Sequence, residues 1–288
     1  MELTIVKKGR LEFPLDQPVN SYYIGEIDTV IDAGIEPAKE DAEYYLITHW
    51  HWDHSMGLTS LRDRKICMPR PTLEIIEHGL FEDRFRRILE AGGVRISELE
   101  RAFISEMGRR YKRVRDSLLL NDVLTLEECP LISKGIVRSM QCPGHSVDHV
   151  CFIIGGHVFT GDTLIPGKRT TIVDFREHRR TLLRLLSEPS WRVLHPGHGD
   201  DMSREEALLV AEHHSIERCD RVYRILSKIP RGEWVALDNV MATVYGVRPS
   251  LRAFVALRTL TGYIKELEDL GIIEVDRTIS PWRLRIKG

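Results

Sequence analysis

Residues 2 to 32 carry short apolar runs rich in β-branched and aromatic side chains, LTIV, SYYIG and DTVIDAG, bounded by Gly, Pro and Asn, which predict strands. YYLIT at 44–48 predicts another and ends directly at THWHWDHSMG. Between 72 and 117 the period changes. Apolar residues recur at three and four, as at Leu99, Phe103 and Met107, inside charged text, which predicts amphipathic helices. Strands resume in DVLTLEE, IVRSMQC and HVCFIIGGHVFTGD, where Gly155-Gly156 between two alternating runs predicts a two-residue hairpin. A helix is expected around 177 to 187, then a strand in WRVLHPGHGD that feeds a Gly/Pro-rich loop.

The last segment has a different grammar. RVYRILSKI, ALDNVMATVYG and LRAFVALRTLTGYIKELEDLG predict three helices, the last stopped by Gly271, and IIEVDRT and WRLRIKG predict two strands around Ser280-Pro281. Three helices followed by a hairpin is the layout of a winged helix, a helix-turn-helix variant. The expected division is a first domain over 1–212, with the helical insert at about 72–117, and a second over 213–288, the boundary lying near Glu212 to Ile216. Strands succeeded by helices place the first domain in the layered α/β or α+β classes.

A length of 288 residues fits about two domains. An apolar content of 42% with 29% charged residues is that of a globular protein, and no apolar run reaches membrane-spanning length. The N-terminus lacks the charged-then-apolar layout of a secretory signal, so the chain reads as cytoplasmic. Five cysteines without a CxxC pair exclude a zinc ribbon and a secreted disulfide framework. Two Gln and three Asn are few, which leans towards a thermophile, a setting that tolerates an intracellular disulfide. The net charge of -2 divides into +4 from residue 213 onward (13 Lys+Arg against 9 Asp+Glu) and -6 before it.

THWHWDHSMG sets three histidines and an aspartate in one decapeptide. In an extended segment residues i and i+2 project to one side, so His49 and His51 can present two imidazoles to one point. Asp53 and His54 follow as the chain turns into a helix expected near Ser55, and can face a second point. Imidazole plus carboxylate suits Zn, Fe or Mn, zinc first. Four ligands cannot close two sites; His145 in CPGHSVDH, Asp162 in FTGD and His198 in HPGHGD supply the remainder, each at a strand end or in a Gly/Pro loop.

HxHxDH followed by a lone His, a lone Asp and a last His resembles the signature of the metallo-β-lactamase superfamily. The resemblance implies an α+β fold, a four-layer αββα sandwich with the site along one edge of its two sheets. It implies His49, His51 and His145 on one metal ion, Asp53, His54 and His198 on a second, and Asp162 bridging. THWHxDH, GHxxDH, GD with a following TT pair (Thr170-Thr171), HPGHG and the appended winged helix are similar to the lactamase-beta-2-like branch. Glyoxalase-II-type thioesterases share the same ligand grammar.

Two divalent ions about 3.5 to 4 Å apart lower the pKa of a shared water from 15.7 towards 7 and so generate a hydroxide nucleophile. The expected activity is therefore hydrolysis of an ester, thioester or related acyl bond in a small molecule, with Asp53 also orienting the hydroxide. The alternatives are phosphodiester cleavage in single-stranded RNA, and a DNA-binding protein whose metal domain senses. Asp32 and His149 are expected behind the ligands, holding them in place. Trp50 and Trp52 should point away from the metals, and Lys168 and Arg169 should meet an anionic substrate. RRYKRVR at 109–115 reads as a solvated helix face, and the winged helix as a substrate-positioning or dimerisation appendage, which leaves a homodimer open.

Overall fold

A computed structural model describes residues 3–11, 18–78, 81–94, 98–167, 170–250 and 253–287. Lys168 and Arg169 lie outside the described residues. In chain order the first part holds β1 (Ile5–Arg10), β2 (Val19–Ile24), β3 (Thr29–Ile31), β4 (Tyr44–Leu46), α1 (Trp52–Ser55), β5 (Lys65–Met68), α2 (Arg70–Glu77), α3 (Phe81–Ala91), α4 (Glu98–Leu118) and β6 (Asp122–Thr125). These six strands form one sheet in sequence order, antiparallel through β3 and parallel from β3 to β6. Next come α5 (Pro130–Ser133), β7 (Arg138–Gln141), β8 (Val150–Ile154), β9 (His157–Gly161), α6 (Phe175–Ser187), β10 (Val193–Pro196), β11 (Met202–Ser203) and α7 (Arg204–Leu226). A second sheet runs β11-β10-β9-β8-β7. Gly155 and Gly156 both have positive φ, the conformation a two-residue hairpin turn demands.

The period of two in the strands assigns each side chain to a layer. Ile31, Leu46, Cys67, Val150, Phe152 and Ile154 point between the sheets and share one core. Their sequence neighbours point outward: Val30, Tyr45 and Ile66 meet Ile76 of α2 and Val114 of α4, while Cys151 and Ile153 meet Leu182 and Leu185 of α6 and Ala207 of α7. The result is helix, sheet, sheet, helix. Full burial of side chains such as Phe152 contributes about 1.5–3 kcal/mol each.

Asp174 caps α6 by accepting from the Glu177 amide, and Ser203 with Glu206 forms a capping box on α7. That cap starts α7 well before the helix expected from 221. The helix passes unbroken through residues 212–216, where the domain boundary was expected. Beyond it lie β12 (Val235–Ala236), α8 (Leu237–Tyr245), α9 (Phe254–Asp269), β13 (Ile273–Asp276) and β14 (Arg283–Ile286), the strands pairing in the order β12-β14-β13. The core of this part includes Phe85, Leu89, Ile172 and Phe175 from the first part. Rings stack 4.0 Å apart in Phe85–Phe254 and Phe175–Tyr263. At Gly262 of α9 a Cβ would stand 2.5 Å from the carbonyl oxygen of Ile172, so glycine lets the helix touch that backbone.

The sequence reading also needs correction at the His cluster, where the helix starts at Trp52 rather than near Ser55 and ends at Ser55. A disulfide joins Cys142 and Cys151, whose Cα atoms are 6.0 Å apart, and closes the loop that carries His145. No helix among the described residues is long and apolar enough to cross a membrane.

Candidate metal centre

The candidate ligands all leave the sheets at one edge. His49 follows β4, Asp53 and His54 lie in α1, His145 lies between β7 and β8, Asp162 follows β9 and His198 follows β10. The two sheets are tied there by a Val19–His198 bridge and by the Asn20 amide donating to the Gly197 carbonyl at 2.7 Å. All seven side chains are buried.

They converge as two groups. Nδ1 of His51 lies 2.8 Å from Nε2 of His49 and 2.8 Å from Nε2 of His145, and Oδ2 of Asp162 is 3.5 Å from Nε2 of His145. In the other group Nε2 of His198 is 3.4 Å from Oδ2 of Asp53, and Nε2 of His54 is 3.9 Å from the same oxygen. Oδ1 of Asp162 reaches this second group, 3.3 Å from His54 and 3.6 Å from His198. One carboxylate is thus divided between the two clusters.

The outward ring nitrogens explain why these imidazoles aim as they do. Nδ1 of His49 bonds Thr48 Oγ1 at 2.9 Å, Nδ1 of His54 donates to Asp32 Oδ2 at 2.7 Å, Nδ1 of His145 donates to the Thr171 carbonyl at 2.7 Å, and Nδ1 of His198 donates to the Pro18 carbonyl at 2.9 Å. Each ring donates through Nδ1 to an oxygen and turns Nε2 inward. His51 is the reverse, with Nδ1 inward and Nε2 3.2 Å from Nη2 of Arg258.

Burial, then the neighbouring histidines, holds His49 well below the ordinary imidazole pKa; burial, then Arg258, does so for His51, and burial takes His145 down to about 4. Burial opposes charge on Asp162 and His54 too. There the opposite charges win: His198 and His54 hold Asp162 well below the carboxylate range, and Asp162 with Asp32 holds His54 well above the imidazole range. Three imidazoles whose charged form burial disfavours therefore crowd one point, and an imidazole whose charged form the carboxylates favour stands at the other.

Both points fit a cation. Nε2 of His54 and Oδ1 of Asp162 are buried without a hydrogen-bond partner, since their 3.3 Å approach lacks hydrogen-bond geometry. An orphaned nitrogen and an orphaned carboxylate oxygen beside it are costly unless a further group satisfies both. A Cβ on Gly197 would run into Asp162 Oδ1 and, at 2.6 Å, into Cε1 of His54, so glycine leaves the pair their room.

Behind the clusters, Asp32 (φ 52) accepts from the Thr48 amide at 2.7 Å and the Thr48 hydroxyl at 2.8 Å as well as from His54. His149 stacks on His49 at 4.6 Å, and its Nε2 accepts from the Asp162 amide at 3.1 Å. Trp50 and Trp52 pack with Ile75, Met107 and Tyr111, and the guanidinium of Arg110 lies 4.7 Å over the Trp52 ring. His195 faces His157 and Asp201, apart from the cluster.

Sequence reasoning missed three contributors. Asp148, whose carboxyl burial pushes up, accepts from the Trp50 amide at 2.8 Å and the Thr72 hydroxyl at 2.6 Å and so pins the His loop. Its place in GHSVDH, between two site histidines, was the available signal. Tyr111 accepts from the Trp52 amide at 3.1 Å, and Arg258 reaches His51 from α9. Neither carries a local signal.

Seven imidazole and carboxylate groups converge at the edge of a helix–sheet–sheet–helix sandwich in two groups that could each hold a metal ion. The sequence profile of the metallo-beta-lactamase superfamily matches residues 15–204, and the chain belongs to that superfamily. It is 36% identical over 232 residues to an atrochrysone carboxyl ACP thioesterase of Aspergillus terreus, covering 80% of this chain and 59% of that protein. A thioesterase of the same description from Aspergillus fumigatus is 31% identical over 139 residues, 46% of this chain and 44% of that one, so the chain spans about half the length of these two relatives. The beta-lactamase-like protein 2 homolog of Drosophila melanogaster is 24% identical over 260 residues, 89% of this chain and 77% of that one. In fold, a metallo-beta-lactamase family protein of Thermus thermophilus superposes with a TM-score of 0.72 at 16% identity over 99% of this chain and 98% of that one.

Proposed function

We propose that the chain is a metal-dependent hydrolase of thioesters. In this reading His49, His51 and His145 would hold one divalent ion, Asp53, His54 and His198 would hold a second, and Asp162 would contribute to both. The observation that carries it is the division of the Asp162 carboxylate, with one oxygen towards each imidazole group. When bound, a pair of divalent ions supplies Lewis acidity for a carbonyl oxygen and lowers the pKa of water towards neutrality. Zinc suits a site dominated by imidazole. The thioester is favoured over other acyl bonds because two of the relatives are described as ACP thioesterases.

The chain's own groups divide the remaining work. Asp53, next to His198, orients the attacking water and accepts its proton. Asp32, Thr48 and His149 fix the rings and the Asp162 backbone, so the site is assembled before substrate arrives. Trp50, Trp52 and Tyr111 form a nearby apolar wall that excludes water. The C-terminal segment is read as a winged-helix module that acts as a substrate-positioning appendage, since α9 delivers Arg258 to the site. RNA cleavage ranks lower: Arg109, Arg110 and Arg113 of α4 face Glu106, and Tyr111 turns inward.

The test is turnover of a panel by the metal-replete chain: S-lactoylglutathione, an acyl-pantetheine thioester, a lactone, bis-p-nitrophenyl phosphate and single-stranded RNA. Thioester hydrolysis abolished by a chelator and restored by metal is expected. Hydrolysis confined to RNA, or specific duplex DNA binding without any turnover, contradicts the proposal.

A further inference from the structure

Arg258 is an unusual residue to find beside a cation site. Its Nη2 donates to the His145 carbonyl at 3.1 Å and lies 3.2 Å from Nε2 of His51, so it touches two of the three clustered imidazole residues. A guanidinium has donors and no acceptor, and two divalent ions beside it would repel it. Its position is nonetheless enforced. Leu257 and Leu260 on either side of it are fully buried, α9 is seated on Ile172 through Gly262, and Lys265 holds Asp174 at 2.7 Å.

Among the described residues the guanidinium also makes no direct ion pair. Tyr111, Asp162, Asp53 and Asp148 face it from α4, α1 and the two loops, yet among the described residues no carboxylate oxygen comes within 4.0 Å. A guanidinium stays a cation at neutral pH. The contact with His51 asks for a lone pair on Nε2. Neither hydrogen-bond partner that the protein gives this group, a ring nitrogen and a backbone carbonyl, carries a negative charge.

We propose that Arg258 is a substrate-recognition residue for an anionic group, a carboxylate or its equivalent, carried by the substrate close to its scissile carbonyl. The proposal rests on the thioesterase reading of the same site. The anion completes the ion pair that the protein leaves open, and in doing so selects acidic thioesters over neutral ones. A charge-assisted pair of this kind is worth about 10- to 100-fold in kcat/KM.

The test uses the full metal-replete chain and two matched pairs of thioesters. Succinyl- and butyryl-S-pantetheine differ by a carboxylate on the acyl half; the carboxymethyl and ethyl thioesters of butyrate differ by one on the leaving group. In at least one pair the anionic member is preferred, and Arg258→Gln lowers that anionic-to-neutral ratio of kcat/KM about 10- to 100-fold, with partial recovery in Arg258→Lys. A ratio left unchanged while both rates fall together assigns Arg258 a structural role and overturns the proposal. No preference in either pair for the wild type also overturns it. Should the wild type hydrolyse none of the four, the thioesterase reading fails, and binding decides the anion site. Tryptophan fluorescence is then titrated with glutarate and with pentanoate. A glutarate-specific response lost in Arg258→Gln sustains the proposal, and equal or absent responses refute it. If Arg258→Gln does not fold, the wild type and Arg258→Lys carry the same comparisons: glutarate must bind at least about tenfold more tightly than pentanoate.

Discussion

Asp32→Asn turns one oxygen of a buried carboxylate into an amide nitrogen, and the geometry identifies the contact that fails. The backbone is not disturbed, because Asn tolerates the positive φ of this position as well as Asp does. The retained oxygen still accepts from the Thr48 amide, and the new NH2 can donate to the Thr48 hydroxyl, which can keep its bond to His49. His54 has no such remedy. To turn Nε2 inward it must carry its proton on Nδ1, now 2.7 Å from another donor. A hydrogen bond to a charged group is worth about 1.5–3 kcal/mol, roughly 10- to 150-fold in an equilibrium constant, in line with the 10- to 100-fold effect usual for residues behind metal ligands. The loss falls on the Asp53/His54/His198 position. Competition against a chelating dye resolves two stepwise affinities, and the variant should separate them by a further factor of about 10 to 100. Two steps weakened equally, or neither weakened, would refute the assignment of Asp32 to His54.

Three further outcomes are expected. Gly197→Ala drives a methyl into Asp162 and His54, so it should abolish thioester turnover and cut metal stoichiometry while the far-UV circular dichroism stays that of the wild type. Asp53→Asn should retain the three-imidazole position but lower kcat about 100- to 10,000-fold, the range for loss of a positioned general base, measured under saturating metal. His178 is buried, and burial followed by Arg218 holds its pKa well below the ordinary value while its Nε2–H donates to the Thr163 carbonyl. Its folded pKa is depressed, so the stability it allows is complete above the unfolded value of about 6.5 and is lost as pH falls below that. In urea titrations of the metal-free chain between pH 7.5 and 5, His178→Gln should flatten the acid slope by about one proton, or about 1.4 kcal/mol per pH unit below 6.5.

Much of the site was legible because its ligands sit within a few residues of strand ends, where local pattern is strong. THWHWDH follows a β-rich run, FTGD ends a hairpin whose Gly-Gly turn is plain in the sequence, and HPGHG follows β10. The pairing of these loops into two clusters came from the family resemblance; spacing alone left the partners open. Arg258 and Tyr111 were invisible because they reach the His loop across 207 and 59 residues, through helices whose own pattern reports only their buried faces. The strands that escaped were β11 and β12, two residues each, and β5, whose four residues follow a charged stretch and lack alternation. The start of α7 is a different case: its Ser203–Glu206 capping box is a local signal that lies well before the helix expected from 221.

The measurement that bears most directly on the account is the anomalous diffraction of the metal-replete protein at the absorption edge of the bound metal. Two peaks per chain are expected, one among His49, His51 and His145, the other among Asp53, His54 and His198, with Asp162 between them. A single peak, or a second one away from His54 and His198, would contradict it.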